Sequence, residues 1–454
     1  MLFVGREHEL SELDSAYSAG GSAFLIYGRR RVGKTTMLEK FCEGKRSIFL
    51  RCLKGGETIN LSYFSDILSE ISGTSCKFKT YIDFITELER LCSEEKTVVV
   101  IDEYSYIASP VISSLLQHFI DSFLIKSDSM LILCGSSVSI MKGEAADYTK
   151  PLYGRFKRVM VLKPLTLEEV RYFHPNMSDV DLLKLYLVIG GIPKYHLEFK
   201  QDTFDGCIRE NYLRNDWMMD EAERLIESEI QNSSRALAIL LAIGKGSTSL
   251  REISQKIGVD DNLVSKCIKL LEELGIVSKL NPMFDAPKRA VYYISDALFA
   301  FHFSLMPKIV AYFDENHVDE SYRIIEPYIN TFLGKQFESF CSDSIRKWYL
   351  TLDMGTWWMD KDDVHSEIDI VAKVSVNNVR FDLFCECKFR KSMLSMRDYI
   401  LLRDRAERFS KVSNPRYLLF SISGFDDDLL DLNDPSVRLI GPEVLFGHSD
   451  CPVL

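Results

Sequence analysis

Three short stretches of the chain are apolar at nearly every position. They are Ala23-Phe24-Leu25-Ile26-Tyr27, Val98-Val99-Val100-Ile101 and Met130-Leu131-Ile132-Leu133-Cys134. An unbroken apolar run of this length predicts a strand covered on both faces, the habit of a parallel sheet. Ser47-Ile48-Phe49-Leu50 reads as a further strand. Between the strands the period changes: Leu10, Leu13 and Tyr17 mark one face of a helix, and residues 67–91 read as mostly helical. Strands separated by helices predict an open α/β sheet.

Beyond residue 165 helical spacing dominates. Thr166 with Glu169, and Ser178 with Asp181, are helix-start patterns of the capping-box kind. Leu182, Leu183, Tyr186 and Leu187 then make an apolar face that ends at Gly190. From 235 to 295 the rhythm tightens. A helix over 237–243 is stopped by Gly244, and a capping box at Ser249-Leu250-Arg251-Glu252 opens a short second helix. A third, capped by Asp260 or Asp261, carries the stripe Leu263, Val264, Cys267, Leu270, Leu271 and Leu274. Two apolar runs at 276–280 and 290–294 then pair across a loop holding Pro282, Pro287, Lys288 and Arg289. Three helices and a hairpin in this order predict a winged helix-turn-helix. Further on, a helix over 332–348 precedes strands that open at Gly355, His365 and Val379.

The chemistry sits where these patterns meet. Gly28-Arg29-Arg30-Arg31-Val32-Gly33-Lys34-Thr35 reads G-x-x-x-x-G-K-T and lies between the first strand and good helix formers that begin at Thr36. There the loop amides of Arg31, Val32, Gly33, Lys34, Thr35 and Thr36 and the helix N-terminus both face an anion. Gly28 and Gly33 permit close approach, Lys34 is placed for the β/γ-phosphates of ATP, and the Thr35 hydroxyl for Mg²⁺. The strand at 98–101 delivers Asp102 and Glu103 at its C-terminal edge, where open α/β sheets bind ligands. Asp102 is expected on the Mg²⁺ and Glu103 on the attacking water. Ser136 or Ser137, ending the next apolar strand, is placed to sense the γ-phosphate; a simple Gly-Ser turn is the other reading.

The opening F-V-G-R-E-x-E-L, the P-loop, the I-D-E-Y strand, the C-G-S-S strand, Pro151-Leu152-Tyr153-Gly154-Arg155 and Gly190-Gly191-Ile192-Pro193-Lys194-Tyr195 follow in that order. In this the chain resembles the archaeal-type ATPase family of the STAND class, within the AAA-related P-loop proteins. The resemblance covers roughly the first 200 residues and continues downstream, where 296–303 is similar to the stretch after that family's winged helix. It implies that Val4, Gly5 and Arg6 lie by the nucleotide base. It implies that the segment holding Pro193 closes on the nucleotide from a helical lid. It also implies that Arg155 is a positive group for the γ-phosphate, with a salt-bridged structural arginine as the alternative.

The last third carries a second constellation. Glu338 sits on the helix over 332–348, Asp369 among apolar residues on one strand, and Glu386 and Lys388 on the next, two apart and so on one side. Cys385 and Cys387 are read as thiols on opposite sides of that strand. Asp369, Glu386 and the Cys387 carbonyl form a set of oxygen ligands for Mg²⁺ or Mn²⁺. Lys388 is expected to orient water or stabilise phosphate charge, and Glu338 to be a further ligand or a base. The set resembles the PD-(D/E)XK nuclease superfamily, with Ile368 where the motif name has proline. A salt-bridged hairpin in an inactive domain is the other reading.

Composition narrows the picture. At 454 residues the chain exceeds one ordinary core, and its 46% hydrophobic and 27% charged residues are those of a globular protein. A net charge of -11 confines any nucleic-acid surface to a local patch. The third helix of the winged segment supplies one, with Asn262, Ser265, Lys266 and Lys269 off its apolar stripe and Lys279, Lys288 and Arg289 flanking it. That segment is mildly basic, and a nucleotide-responsive lever is its alternative role. The 11 cysteines show no C-x-x-C pair and read as reduced cytoplasmic thiols without structural zinc. No signal peptide is read at the N-terminus, and 297–306, containing His302, is too short to span a bilayer.

The expectation is a multidomain α/β chain. It comprises a P-loop NTPase parallel sheet (1–165), a helical lid (166–232), a winged helix-turn-helix (233–310) and a C-terminal PD-(D/E)XK-like α/β domain (320–454). The expected function is an ATPase that regulates a metal-dependent nuclease on double-stranded DNA. A switch or DNA-binding regulator with an inactive last domain is the alternative, and a protein-recruiting scaffold a third. A homo-oligomer or protein partner is compatible with each, and no membrane is expected.

Overall fold

The apolar runs become strands because only a sheet covered by helices on both faces hides every residue of them. In the computed structural model, β1 (Ser22–Tyr27), β3 (Val98–Asp102) and β4 (Met130–Gly135) are buried along their whole length. The structure describes residues 3–214, 216–230, 232–283, 291–309, 317–361, 364–409, 412–450 and 452–454. They fall into two units, Met1–Leu165 with Gly191–Lys194, and Thr166–Gly190 with Tyr195–Leu454.

In the first unit β2 (Ser47–Arg51) and β5 (Arg158–Val161) complete a parallel sheet of order β2-β3-β4-β1-β5. β4 therefore lies between β1, which leads into the P-loop, and β3, which ends at Asp102. The helices are α1 (Glu7–Ala19), α2 (Lys34–Cys42), α3 (Glu57–Ser72), α4 (Tyr81–Glu94), α5 (Pro110–His118) and α6 (Val138–Ala146). Leu50, Phe64, Phe84, Leu88, Ile101 and Leu133 belong to one core between sheet and helices. The stretch 67–91 is two helices. Gly73, at φ 67°, takes the left-handed turn that ends α3, and Thr80 opens α4 through a capping box with Asp83.

The second unit begins with α7 (Leu167–Val170) and α8 (Asp179–Ile189). Thr166 forms a full capping box with Glu169, and Ser178 accepts from the Asp181 N–H. α9 (Pro193–Glu198), whose first two residues belong to the first unit, α10 (Phe204–Gly206), α11 (Asp216–Met219) and α12 (Glu221–Glu229) follow. Then come α13 (Ser233–Gly244), α14 (Leu250–Ile257) and α15 (Asp261–Glu273), with an antiparallel ladder of β6 (Val277–Leu280) and β7 (Val291–Ile294). Ser249 caps α14 with Glu252, and Asp260 is the residue that caps α15. Asn262, Ser265, Lys266 and Lys269 are exposed on α15, as is Lys279 on β6; Pro287, Lys288 and Arg289 lie outside the described residues. α16 (Ala297–Leu305) is buried on nearly all sides, and among the described residues no helix is long and apolar enough to cross a membrane.

α17 (Val318–Trp348) starts fourteen residues before the expected Phe332 and continues through Pro327. β8 (Leu350–Lys361), β9 (Val364–Val376) and β10 (Val379–Lys388) form an antiparallel meander. α18 (Met396–Ala406), β11 (Arg416–Ser421), α19 (Asp427–Leu430), β12 (Val437–Ile440) and α20 (Pro442–Leu445) complete the chain, in a sheet of order β12-β11-β10-β9-β8. β11 runs parallel to β10 and β12 to β11. One expectation is corrected here. Cys385 and Cys387 are two apart on β10, so the pleat puts both thiols on one face, where each feels Cys341 of α17. The ten described cysteines are all free.

Candidate functional site

α2 begins at Lys34 because Gly33, at φ 94°, turns the chain from loop into helix without a Cβ to clash. Gly28 is needed for closeness: a Cβ there would come within 2.4 Å of the Leu162 carbonyl oxygen. Lys34 is buried, and its Nζ donates to the carbonyls of Gly28 (2.9 Å) and Arg29 (3.1 Å). Thr35 Oγ1 donates to Asp102 Oδ2 at 2.8 Å, although the two are 67 residues apart. Arg51 Nε is 3.7 Å from the same oxygen. A glycine-bounded loop at a helix N-terminus, a buried ammonium and a hydroxyl–carboxylate pair fit ATP with Mg²⁺. Thr35 and Asp102 would hold the ion.

Glu103 follows at φ 53°, a left-handed conformation that turns its side chain toward the end of β4. Its Oε2 accepts from the Ser136 hydroxyl (2.8 Å) and the Ser136 N–H (3.2 Å). Ser136 rather than Ser137 is therefore the serine beside Glu103. At the entrance Gly5 and Arg6 are both left-handed (φ 68° and 76°), which lets Arg6 fold back and donate to the carbonyls of Val32 (3.1 Å) and Lys163 (2.7 Å). Val32 is fully buried, Val4 and Thr36 are half-buried and Arg31 is exposed. A Cβ on Gly33 would lie 3.9 Å from Pro193 Cγ, so the Gly-Ile-Pro segment borders the loop. Arg155 pairs with Asp121 at 3.3 Å and donates to the Tyr153 carbonyl.

In the second unit α17 brings Glu338 to the sheet, β9 brings Asp369 and β10 brings Glu386 and Lys388. Burial, and then the charge of Asp369, push the Glu338 carboxyl up to about 8. Burial, and then Glu386, push Asp369 up to about 7. Cys387 N–H donates to Asp369 Oδ2 at 2.7 Å. Lys388 pairs with Glu386; burial opposes its charge, but Glu386 and Asp369 outweigh that and hold its pKa above the ordinary lysine value. Glu386 Oε2 has no hydrogen-bond partner in the protein and lies 3.8 Å from Arg405 Nη1. The four expected residues thus converge. Among the described residues no three carboxylate, imidazole or thiol groups stand where they could hold a metal ion together; Lys388 pairs with Glu386, and the Cys387 amide with Asp369.

Residues 3–199 match the family model described as an ATPase domain predominantly from Archaea. Over these residues, fewer than half of its length, the chain is similar to that archaeal ATPase domain. Residues 180–297 match a domain of unknown function, and 302–400 a family of archaeal and bacterial proteins of unknown function. The whole chain is similar to an uncharacterized protein of Methanocaldococcus jannaschii, 27% identical over 94% of this chain and 93% of that one. An uncharacterized ATP-binding protein of the same organism is 40% identical over 47 residues, 10% of this chain and 80% of that one. Among solved structures, a Walker-type ATPase of Pyrococcus abyssi shares the fold at a TM-score of 0.51 and 20% identity, over 66% of this chain and 96% of its own.

Around these two sites the structure adds residues that the sequence did not announce. Arg405 of α18 faces Glu386 and also donates to the Glu367 carbonyl at 2.8 Å. Nothing in the spacing of α18 distinguishes it from Arg397 or Arg403. Outside the ATPase domain's own unit, His174 Nε2 lies 2.9 Å from His196 Nδ1, and His196 Nε2 2.7 Å from the Gly190 carbonyl. Both rings are buried, which holds their pKa values down, to about 4 and about 3. Two single histidines 22 residues apart carry no signal of such a pair in sequence.

Proposed function

We propose that the chain is an ATP-binding and ATP-hydrolysing switch of the STAND type, whose nucleotide state controls a metal-dependent nuclease site acting on double-stranded DNA. The observation that carries this is the convergence of Glu338, Asp369, Glu386 and Lys388 in a unit separate from the P-loop. In the ATPase domain Lys34 leaves the Gly28 and Arg29 carbonyls for the β/γ-phosphates. Glu103, which accepts from Ser136, orients the attacking water and takes its proton, and Ser136 senses the γ-phosphate. Mg²⁺, held by Thr35 and Asp102, supplies charge neutralisation on the phosphates when bound.

At the acid cluster Asp369, Glu386 and the Cys387 carbonyl would hold Mg²⁺ or Mn²⁺, which supplies positive charge at the phosphodiester. Lys388, freed from Glu386, then faces the water and the phosphate. Glu338, whose carboxyl burial keeps mostly protonated at neutral pH, is suited to donate a proton. The exposed Lys266, Lys269 and Lys279 offer the phosphate contacts that bring duplex to the site. A second reading is favoured by the Lys388–Glu386 pair, which silences both groups: a DNA-binding regulator with an inactive last domain. The test is cleavage of single- and double-stranded DNA by the intact protein with Mg²⁺ or Mn²⁺ and with ATP, ADP or neither. Metal-dependent cutting that disappears in Asp369→Ala and loses its nucleotide dependence in Lys34→Ala supports the nuclease. No cutting under any of these conditions leaves the regulator.

A further inference from the structure

We propose that Glu338 is the member of the acid cluster that nucleotide occupancy moves, and that α8 is the lever that moves it. The inference rests on the acid cluster being the regulated site. Residues 166–190 read in sequence as a lid on the ATPase half. In the structure they share a unit with α17 and the acid-cluster sheet. Three attachments hold them there. The Tyr186 ring of α8 meets the Phe340 ring edge-on at 6.1 Å. Lys347 Nζ donates to Glu168 Oε1 at 3.0 Å. His448 Nε2 lies 3.1 Å from Asp179 Oδ2, and Arg171 pairs with the same carboxylate.

Phe340 and Lys347 both belong to α17. Phe340 stacks on Phe337 at 6.3 Å, and Phe337 meets Phe389, the residue after Lys388, at 5.4 Å. The ring series Tyr186, Phe340, Phe337, Phe389 therefore brackets Glu338 and ends beside Lys388. Packed aromatic rings have little slack, so a shift at one end is passed along rather than absorbed.

The other end of the lever is fixed by the chain itself. α8 ends at Gly190, and the next four residues, Gly191–Lys194, belong to the ATPase unit. Pro193 borders the P-loop at Gly33. Gly191 is held fast: the Leu165 N–H donates to its carbonyl at 2.7 Å, and a Cβ on it would come within 1.8 Å of the Leu165 oxygen. A single residue, Gly190, thus separates a segment that borders the nucleotide loop from the helix that packs on α17. A nucleotide that resets 191–194 draws on the C-terminus of α8, and α17 carries the movement to Glu338. By linkage, whatever binds the acid cluster changes nucleotide affinity by the same factor.

Hydrogen exchange of peptides covering 334–345, with and without ATP and Mg²⁺, tests this without any need for catalysis. The parent should change its exchange rate there by about threefold or more, and Lys34→Ala should not. Tyr186→Ala should lose the change, and Tyr186→Phe should keep it. Because truncating Tyr186 leaves a gap, Glu168→Ala with Asp179→Ala is the second variant; it removes only partly exposed ion pairs and should reduce the response while ATP affinity in calorimetry stays as in the parent. An ATP-bound parent with unchanged exchange in α17, or variants with a full response, overturns the lever. A full response in a protein that cuts no DNA upholds the lever and sinks the nuclease reading alone.

Discussion

Glu103 is held in a backbone region that side chains with a Cβ seldom occupy, at a cost of order 1–3 kcal/mol. The strain is spent on aiming one carboxylate at Ser136. Glu103→Gln preserves the aim, since an amide oxygen still accepts from the serine, but cannot take a proton. Its turnover should fall about 100-fold while ATP affinity stays within about twofold, read by steady-state assay and calorimetry. Unchanged turnover would remove Glu103 from the reaction. Glu338 makes the opposite kind of statement. Its carboxyl titrates at about 8 in the fold against an ordinary 4.5, so the folded state binds the extra proton. Its stability contribution is full below about 4.5 and is lost as pH rises through 8. Glu338→Gln removes that loss, so its melting temperature relative to the parent should rise between pH 5 and pH 8.5, by roughly 2–4 °C for each kcal/mol relieved. Equal melting temperatures at both pH values would show that Glu338 is not held neutral. The placement of these residues was legible because motif spacing sets it: a glycine-bounded lysine, two acids at a strand end, an E-x-K on a strand. Arg405, Cys341 and the His174–His196 pair were not, since each acquires its partner only through tertiary packing. The cysteine pair on β10 was misread against the very period that placed Glu386 and Lys388 together.

Elements were read well where one pattern ran unopposed. β1, β3 and β4 followed from unbroken apolar runs, and α14 and α15 from caps and a stripe. α17 begins well before the expected Phe332: it runs through Pro327, which removes a single hydrogen bond from a helix that buries Ile325 on one side of it and Ile329, Phe332 and Leu333 on the other. β8 was entered late because Leu350 and Leu352 are exposed on the edge of the sheet and show no buried alternation to recognise. α15 is the element whose role is most sharply testable. Val264, Cys267, Ile268 and Leu271 face inward, leaving Lys266 and Lys269 exposed on the outer side. Reversing both, Lys266→Glu with Lys269→Glu, should weaken duplex binding and reduce the slope of log affinity against log salt by about 2, one for each lost phosphate contact. Fluorescence anisotropy across a salt series measures it. An unaltered slope would make α15 a lever rather than a reader.

At the scale of the whole molecule, composition set the limits and connectivity did the rest. A net charge of -11 confines any DNA contact to local patches, but no count of charges could show that 166–190 shares a unit with the acid cluster while 191–194 returns to the P-loop unit. That division gives the last prediction its form. Asp369 and Lys388 sit in one unit and Lys34 in the other, so their variants should separate three readouts. Asp369→Ala deletes a carboxylate whose buried neighbours Glu338 and Glu386 already repel it, and a divalent cation loses the charge that holds it there; Mn²⁺ binding and cutting should disappear together. Lys388→Ala frees Glu386 from its ammonium partner. Mn²⁺ should then bind as tightly as in the parent or more so, while cutting falls by about 100-fold or more, because the lysine acts on water and phosphate rather than on the ion. Both variants should bind ATP as the parent does. Calorimetric titration with Mn²⁺ reads the second claim directly: weaker Mn²⁺ binding in Lys388→Ala would mean that the lysine shapes the metal site rather than competes with it, and the ligand set of Asp369, Glu386 and the Cys387 carbonyl would have to be given up.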